Sequence, residues 1–376
     1  MPSDLAQSQE KKPLIPRTFS KSDYVLVIHG GAGTMSRESS TPVRQAQYKA
    51  ALRKALHAGY DVLKDGGEAM DAAVAAVMVM EDCPLFNSGK GAVFNAAGQN
   101  ELETSIMLSK PPSTHPEIKP ERRGVSLTLL TRTRNPSHLA RSLYLSPSAT
   151  PHPFLSGSAA EAIGEELGEK IVDPSYFFTE ARWREHRRGL GLPETPLPPG
   201  HIPSSPSPDV NLDQMPTGTV GAVALDVRGG IAAVTSTGGR TNKLVGRVGD
   251  TPHMGSGFWA EEWEENGWVR RTWNKVRGRK ATQAVGISGT GDGDYFIRRN
   301  TASTIARRMQ YLHEPLSKAA KYVVKDLRSV GGDGGVIAVD NEGNVAMPLN
   351  CPGMYRGIIR PDGVPKTAIF DDDELS

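Results

Sequence analysis

Gly218-Thr219-Val220-Gly221-Ala222-Val223-Ala224-Leu225-Asp226 is the stretch on which the reading of this chain turns. From Thr219 onward it is a short, nearly continuous apolar run, the pattern of a buried strand. The residues before it differ. Leu192 to Pro216 holds eight prolines and several serines with little apolar periodicity, the composition of a disordered linker. A linker running into a buried strand that begins with threonine suggests a chain that cuts itself at Gly218–Thr219. Cutting there makes Thr219 a new N-terminus, and a threonine with a free α-amine carries nucleophile and base in one residue. The cut requires the Thr219 hydroxyl to attack the Gly218 carbonyl in an N-to-O acyl shift, which needs local strain to compete with amide resonance. The plainer alternative is that threonine simply suits a strand. Its place at the boundary favours cleavage.

The strand continues as a hairpin: 219–226, a turn at Val227-Arg-Gly-Gly230, and 231–237. The second strand ends in Thr235-Ser-Thr237-Gly-Gly239, whose hydroxyls either lie beside Thr219 or simply close a polar strand end running into a glycine turn. Further on, Arg247-Val-Gly-Asp250 is either a surface ion pair or a reader of an amino-acid head group. In the second case Arg247 clamps an α-carboxylate with paired N–H donors and Asp250 accepts from an α-ammonium. Gly289-Thr290-Gly-Asp-Gly293-Asp294 reads as a glycine-rich loop, either a turn or, through Thr290 and Gly291, an oxyanion hole. It fits neither a P-loop nor an EF-hand.

The 376 residues suffice for one large domain or two small ones. A net charge of +2 provides no general field for nucleic acid or an anionic membrane. No run approaches the length of a membrane span. Cys83 and Cys351 are too few for a disulfide framework. Residues 1–22 form a polar tail without the apolar core of a signal peptide, so a cytoplasmic location is expected. The histidines show no zinc spacing. A thiol hydrolase built on Cys83 and His29 is a weaker alternative, since nothing local activates Cys83.

Tyr24–Ile28 reads as a buried strand ending in the loop His29-Gly-Gly-Ala-Gly33. Helices are expected over 43–64, 68–80, 135–145, 158–170 and 302–328, and strands over 125–130, 284–288, 335–340 and 345–349. Residues 84–95 read as a glycine-punctuated stretch entering a strand. Strands near both ends with helices between suit stacked sheets flanked by helices better than a βαβ alternation. The division is then a tail 1–22, a first part 23–191, a linker 192–218 and a second part 219–376 of one domain.

Ten stretches resemble, in order, the plant-type L-asparaginase and isoaspartyl peptidase family of N-terminal-nucleophile hydrolases. They are His29–Gly33, Asp71–Val74, Pro84–Asn95, Arg134–Pro136, Gly218–Asp226, Thr235–Gly239, Gly246–Asp250, Thr290–Gly293, Gly334–Asp340 and Asn350–Arg356. The resemblance covers most of residues 23–360. It implies an α+β fold, a four-layer αββα sandwich cut at Gly218–Thr219. Thr219 would be the nucleophile, with Thr237 supporting its hydroxyl and Thr235 nearby. Arg247 and Asp250, with Thr290, Gly291 and Gly293 beside them, would bind the substrate head group. Thr290 and Gly291 would form the oxyanion hole, and Asn95 and the His29 loop would shape the cleavage and acyl sites. The implied reaction releases aspartate from L-asparagine or β-aspartyl peptides through a threonine acyl-enzyme. The implied partners are a small-molecule or short-peptide substrate and a second copy of the cleaved protomer, with no nucleic acid and no membrane. No cofactor is implied beyond a structural sodium ion on the backbone carbonyls of Met80, Glu81, Cys83, Phe86, Ser88 and Lys90.

The chain departs from the family pattern in three places. Glu101-Leu-Glu-Thr104 stands where the family has Glu-x-Asp-Ala, so the second carboxylate is one methylene longer. Residues 258–283 read as an insertion holding Trp259, Trp263, Trp268 and Trp273 followed by basic residues. It is expected as an accessory helix or hairpin bordering the site's mouth, where deleting 262–280 would change substrate preference. Asp292-Gly-Asp294 keeps a glycosylasparaginase reading open. A threonine endopeptidase, or an uncleaved homologue that binds aspartate-like ligands without hydrolysing them, are further alternatives.

Overall fold

A computed structural model describes residues 24–33, 35, 37–38, 40–198, 200, 218–264 and 282–376. The tail 1–22, residues 201–217 of the linker and most of the tryptophan-rich stretch lie outside the described residues.

Among the described residues, twelve strands form two sheets. They are β1 (Val25–Gly33), β2 (Leu102–Leu108), β3 (Gly124–Leu130), β4 (Phe154–Ser156), β5 (Val220–Leu225) and β6 (Ile231–Thr237), then β7 (Phe258–Glu264), β8 (Thr282–Gly291), β9 (Gly334–Asp340), β10 (Val345–Ala346), β11 (Gly353–Ile359) and β12 (Lys366–Phe370). The first sheet runs β12-β11-β1-β5-β6-β2-β3-β4 and the second β10-β9-β8-β7. Every pairing is antiparallel except β3 with β4.

Strands have period two, so neighbouring residues enter different cores. Leu26 and Ile28 join Leu52, Leu56, Ala73 and Val77 of the helices α1 (Pro42–Lys64) and α2 (Ala69–Glu81). Val25 and Val27 face the other way, into a core shared with Val223, Leu225 and Ala233 of the first sheet and Phe258, Ile337 and Val339 of the second. On the far side of the second sheet, Val285, Ile287, Val336 and Ala338 pack on Ile305, Val323 and Leu327 of the helices Thr301–Leu312 and Leu316–Ser329. The strands around Thr219 are buried on both faces, which is why their sequences read as unbroken apolar runs.

Several expectations need correction. The strand expected after residue 84 is a 3₁₀ turn at Gly89–Gly91 followed by irregular chain, and the strand begins at Leu102. The single helix expected over 302–328 is two, separated at His313, which has a positive φ of 54°, and Pro315. Proline cannot donate to the preceding turn and stops the helix there. Phe258–Glu264 is no accessory insertion. It is the edge strand of the second sheet, paired with β8 from Phe258↔Ser288 to Glu264↔Thr282. Trp263 packs into the outer core with Ile305 and Met309. Trp268, Trp273 and the basic residues lie outside the described residues.

Candidate active site

The face of the first sheet that meets the second is apolar at one end and polar at the other. Along β1 the face runs Val25, Val27, His29; along β6 it runs Ile231, Ala233, Thr235, Thr237; along β2 it runs Met107, Ser105, Glu103. The register aligns these changes. His29 pairs with Gly221, Gly221 with Thr235, and Thr235 with Ser105. One row further out, Thr237 pairs with Glu103. Thr219 immediately precedes β5 at the same end. The inter-sheet core therefore opens into a polar cleft of about 190 Å³, lined by Thr219, Thr237, Glu103, Arg247, Asp250, Gly291 and Gly293. That is smaller than the roughly 300–1,000 Å³ of pockets for drug-sized ligands and suits an amino-acid head group.

Thr219 is only 6% exposed, and its Oγ1 lies 3.1 Å from Thr251 Oγ1. Its carbonyl is 2.8 Å from His29 Nδ1, and His29 Nε2 is 2.7 Å from Ser288 Oγ. A carbonyl only accepts, so Nδ1 carries the proton and Nε2 accepts from the Ser288 hydroxyl. Burial pushes the His29 pKa down to about 3, outweighing the bond to Thr219, so the ring is neutral. His29 thus ties the strand bearing Thr219 to the second sheet. Both its nitrogens are engaged away from Cys83, whose thiol is itself pushed up by burial, and the thiol-hydrolase alternative falls.

Gly218 is held tightly. A Cβ there would sit 2.5 Å from Ala32 N, 2.6 Å from Thr290 Oγ1 and 2.8 Å from Gly31 Cα. The His29–Gly33 segment, read as a loop, is the end of β1, and it packs directly on the Gly218–Thr219 bond. Thr290 is fully buried behind it and accepts the Ala32 N–H at 3.2 Å.

Arg247 donates from Nη2 to Asp294 Oδ1 at 2.8 Å. Asp250 is buried, and its Oδ2 has no partner among the described residues. Burial, then the charge of Glu103, pushes its pKa up to about 7. Gly293 faces this carboxylate closely, since a Cβ would lie 2.3 Å from Asp250 Oδ1. Lys243 is buried too and donates to the Glu101 carbonyl at 2.7 Å.

The structure therefore brings Gly218, Thr219, Thr237, Arg247, Asp250, Gly291 and Gly293 to one cleft. Thr235 sits beneath it, donating to the Thr251 carbonyl at 3.1 Å beside Ser105. Thr237 accepts the Gly239 N–H at 3.0 Å, and the hydroxyl hydrogen-bonded to Thr219 Oγ1 is that of Thr251. Asn95 is not at the cleft. Its Oδ1 accepts from the backbone N–H groups of Ala97 and Gln99, both at 3.0 Å, and closes the 95–99 turn. Short polar side chains do this readily, and no sequence signal distinguishes that use from catalysis.

Sequence reasoning missed Thr251, Ser288 and the helix Glu180–Gly189. Thr251 directly follows Asp250, a signal that was available. The helix buries only Arg182 and His186, so no apolar stripe announced it. It holds the loop leading to Arg247: Thr241 donates to Glu185 at 2.7 Å, and Asn242 Nδ2 to the His186 carbonyl at 3.1 Å. Thr251→Val removes the hydroxyl beside Thr219. One neutral hydrogen bond contributes about 1 kcal/mol, so a cut made by Thr219, followed by gel densitometry, should slow roughly fivefold.

A family model described as asparaginase matches residues 22–264 and 277–369. The isoaspartyl peptidase of Escherichia coli strain K12 is 35% identical over 347 residues, covering 92% of this chain and 96% of that protein. That of Salmonella typhimurium is 35% identical over 348 residues, covering 92% and 98%. An isoaspartyl peptidase/L-asparaginase of Xenopus laevis is 33% identical over 339 residues, covering 90% and 93%. The chain belongs to the asparaginase family. The gap in the family match, 265–276, falls within the residues that follow β7.

Proposed function

We propose that this chain is an amidohydrolase that cleaves itself at Gly218–Thr219 and then releases aspartate from L-asparagine and β-aspartyl peptides. The observation that carries the reading is the meeting of Thr219 with Arg247 and Asp250 in one small cleft. The names of the relatives, isoaspartyl peptidase and L-asparaginase, support the same chemistry. In the first reaction Thr219 Oγ1 attacks the Gly218 carbonyl carbon, the C–N bond breaks to give an ester and a free amine, and water hydrolyses the ester. In the second the new amine takes the hydroxyl proton, and Oγ1 attacks the side-chain carbonyl of the substrate. Ammonia or an amino acid leaves with that proton, and water frees aspartate from the acyl-enzyme. Backbone N–H at Gly291, backed by Thr290, faces the developing oxyanion. Arg247 and Asp250 hold the α-carboxylate and α-ammonium. The three core clusters support a four-layer αββα arrangement of the N-terminal-nucleophile type. No helix among the described residues is long and apolar enough to cross a membrane. The homodimer and the cytoplasmic location belong to the same proposal.

A structural sodium ion on the backbone carbonyls of the Met80 to Lys90 loop belongs to the same proposal. A Cβ on Gly89 would lie 2.3 Å from the Glu81 carbonyl oxygen, and one on Gly91 would lie 2.1 Å from that of Phe86. Carbonyls thus crowd a turn where only glycine stands. The carbonyls of Met80, Cys83 and Ser88 also accept backbone N–H groups. A sodium ion held by these residues would brace the loop and supply no chemistry to the cleft.

The test is incubation of the purified protein with L-asparagine and with β-aspartyl-leucine, following aspartate release. Hydrolysis of neither, by protein cleaved at Gly218–Thr219, would overturn the reading. A pH profile tests the head-group assignment. Asp250 is neutral below its pKa of about 7 and charged above it, so kcat/KM for L-asparagine should fall about tenfold per pH unit on the acid side. Asp250→Asn should lower kcat/KM about 100-fold and flatten that limb, since breaking one side of a buried charge pair costs about 2–5 kcal/mol.

The β7–β8 connection begins at the Glu264/Thr282 pair, about 26 Å along β8 from Thr290 at the usual rise per residue. It is anchored at the end of the sheet away from the cleft. Removing 266–280, rather than 262–280 which would cut into β7, should therefore leave the ratio of asparagine to β-aspartyl-leucine turnover within twofold of the parent.

A further inference from the structure

Glu103 lies across β2 and β6 from Thr237, on the strand face that opens into the cleft. It is fully buried. Its Oε1 accepts the Gly249 N–H at 2.8 Å, while Oε2 has no partner among the described residues. The two nearest cations are engaged elsewhere: Lys243 Nζ donates to the Glu101 carbonyl and Arg247 Nη2 to Asp294. Asp250, on the same cleft, likewise has an oxygen, Oδ2, without a partner among the described residues. Two buried carboxylates, each with one oxygen open, are costly arrangements unless a cation completes them.

We propose that Glu103 is a second carboxylate of the ammonium subsite, acting with Asp250 to admit substrates that carry a free primary α-ammonium and to reject those that lack it. A primary ammonium has three N–H donors, enough for both carboxylates at once. Each open oxygen repels a ligand that offers only carboxylates, so the pair selects by penalty as well as by attraction. Burial holds the Glu103 carboxyl above its usual range, while Lys243 and the Gly249 N–H pull it back. Its charge in turn raises Asp250, which shows the two groups sharing one field. Glu103 lines the cleft with one oxygen on the Gly249 N–H and the other left without a partner among the described residues.

This inference rests on the aspartate-releasing function proposed above and specifies its substrate class. The test is titration calorimetry of the cleaved protein with L-aspartate and with succinate, which differ only in the α-ammonium. The parent should bind L-aspartate at least tenfold more tightly than succinate. Glu103→Gln keeps the shape and the acceptor for Gly249 N–H. It should lose about tenfold in affinity for L-aspartate with no loss for succinate, so that the selectivity falls about tenfold. Glu103→Asp should retain part of it. For turnover, Glu103→Gln should raise KM for L-asparagine more than it lowers kcat. Equal weakening of both ligands, or an unchanged selectivity, would mean that Glu103 is structural and would overturn the inference alone. A parent that neither binds L-aspartate nor hydrolyses L-asparagine would overturn the function and the inference together.

Discussion

Thr219→Ala is expected to leave one uncut chain of 376 residues where the parent yields a piece starting at Thr219 and 158 residues long. The alanine keeps the strand. It removes the hydroxyl proposed to attack Gly218, and with it the atom that would carry the acyl group. Aspartate release should therefore fall by at least 10⁴-fold, the scale seen when a nucleophile is deleted from a working site. Intact mass before and after several days separates the outcomes. A piece of the same length from the alanine variant would show that some other nucleophile or a contaminating protease makes the cut. Release of aspartate without any cut would show that Thr219 needs no free amine.

Gly218→Ala should be almost as damaging, for a steric reason. The added methyl meets backbone on one side, Ala32 N at 2.5 Å and Gly31 Cα at 2.8 Å, and the Thr290 hydroxyl at 2.6 Å on the other. None of these is the free end of a long side chain that can swing away. Overpacking of this kind costs about 1–3 kcal/mol, and here it displaces the carbonyl that Thr219 must reach. Cleavage should slow by at least 100-fold, and hydrolysis should fall with it because the amine stays locked in a peptide bond. Gly218 lies outside the strands, so the melting temperature should drop by only a few degrees. A variant that cuts at the parental rate would mean that the contact with β1 does not position the bond.

The parts of this protein that pack regularly were legible from sequence, and those that depend on register were not. Apolar periodicity marked β1, β5, β6, α1 and α2, because a buried face has to repeat. β2 carries Glu103, Thr104 and Ser105 among its apolar residues, so it read as a motif rather than as a strand. The proposed head-group pair Arg247 and Asp250 was legible because two complementary charges stand three residues apart. The partner of the Thr219 hydroxyl was not. Thr237 and Thr251 are equally plausible as strings of letters, and only the pairing of β5 with β6 and the turn after Asp250 decide which oxygen arrives. Asn95 failed for the opposite reason, as a motif residue whose amide serves its own turn. The edge strand β7 was hidden by its tryptophans, which are conspicuous in a sequence yet here partly fill an outer core.

The strand order of the first sheet bears on what happens after the cut. β1 comes from the first piece and lies between β11 and β5 of the second, while β6 of the second lies against β2 of the first. The pieces would be interleaved at three seams of the first sheet, which neither would hold complete, while the second sheet belongs wholly to the second piece. The proposed cut would therefore not divide the molecule, but it would change how the molecule can be lost. Before the cut, an unfolded chain finds its partners within itself; afterwards the same search is a meeting of two separate polymers, slower as they are diluted. The mature protein would owe its persistence to the height of the unfolding barrier rather than to easy return. The reaction that arms Thr219 would thus also make folding, for this molecule, an event that happens once.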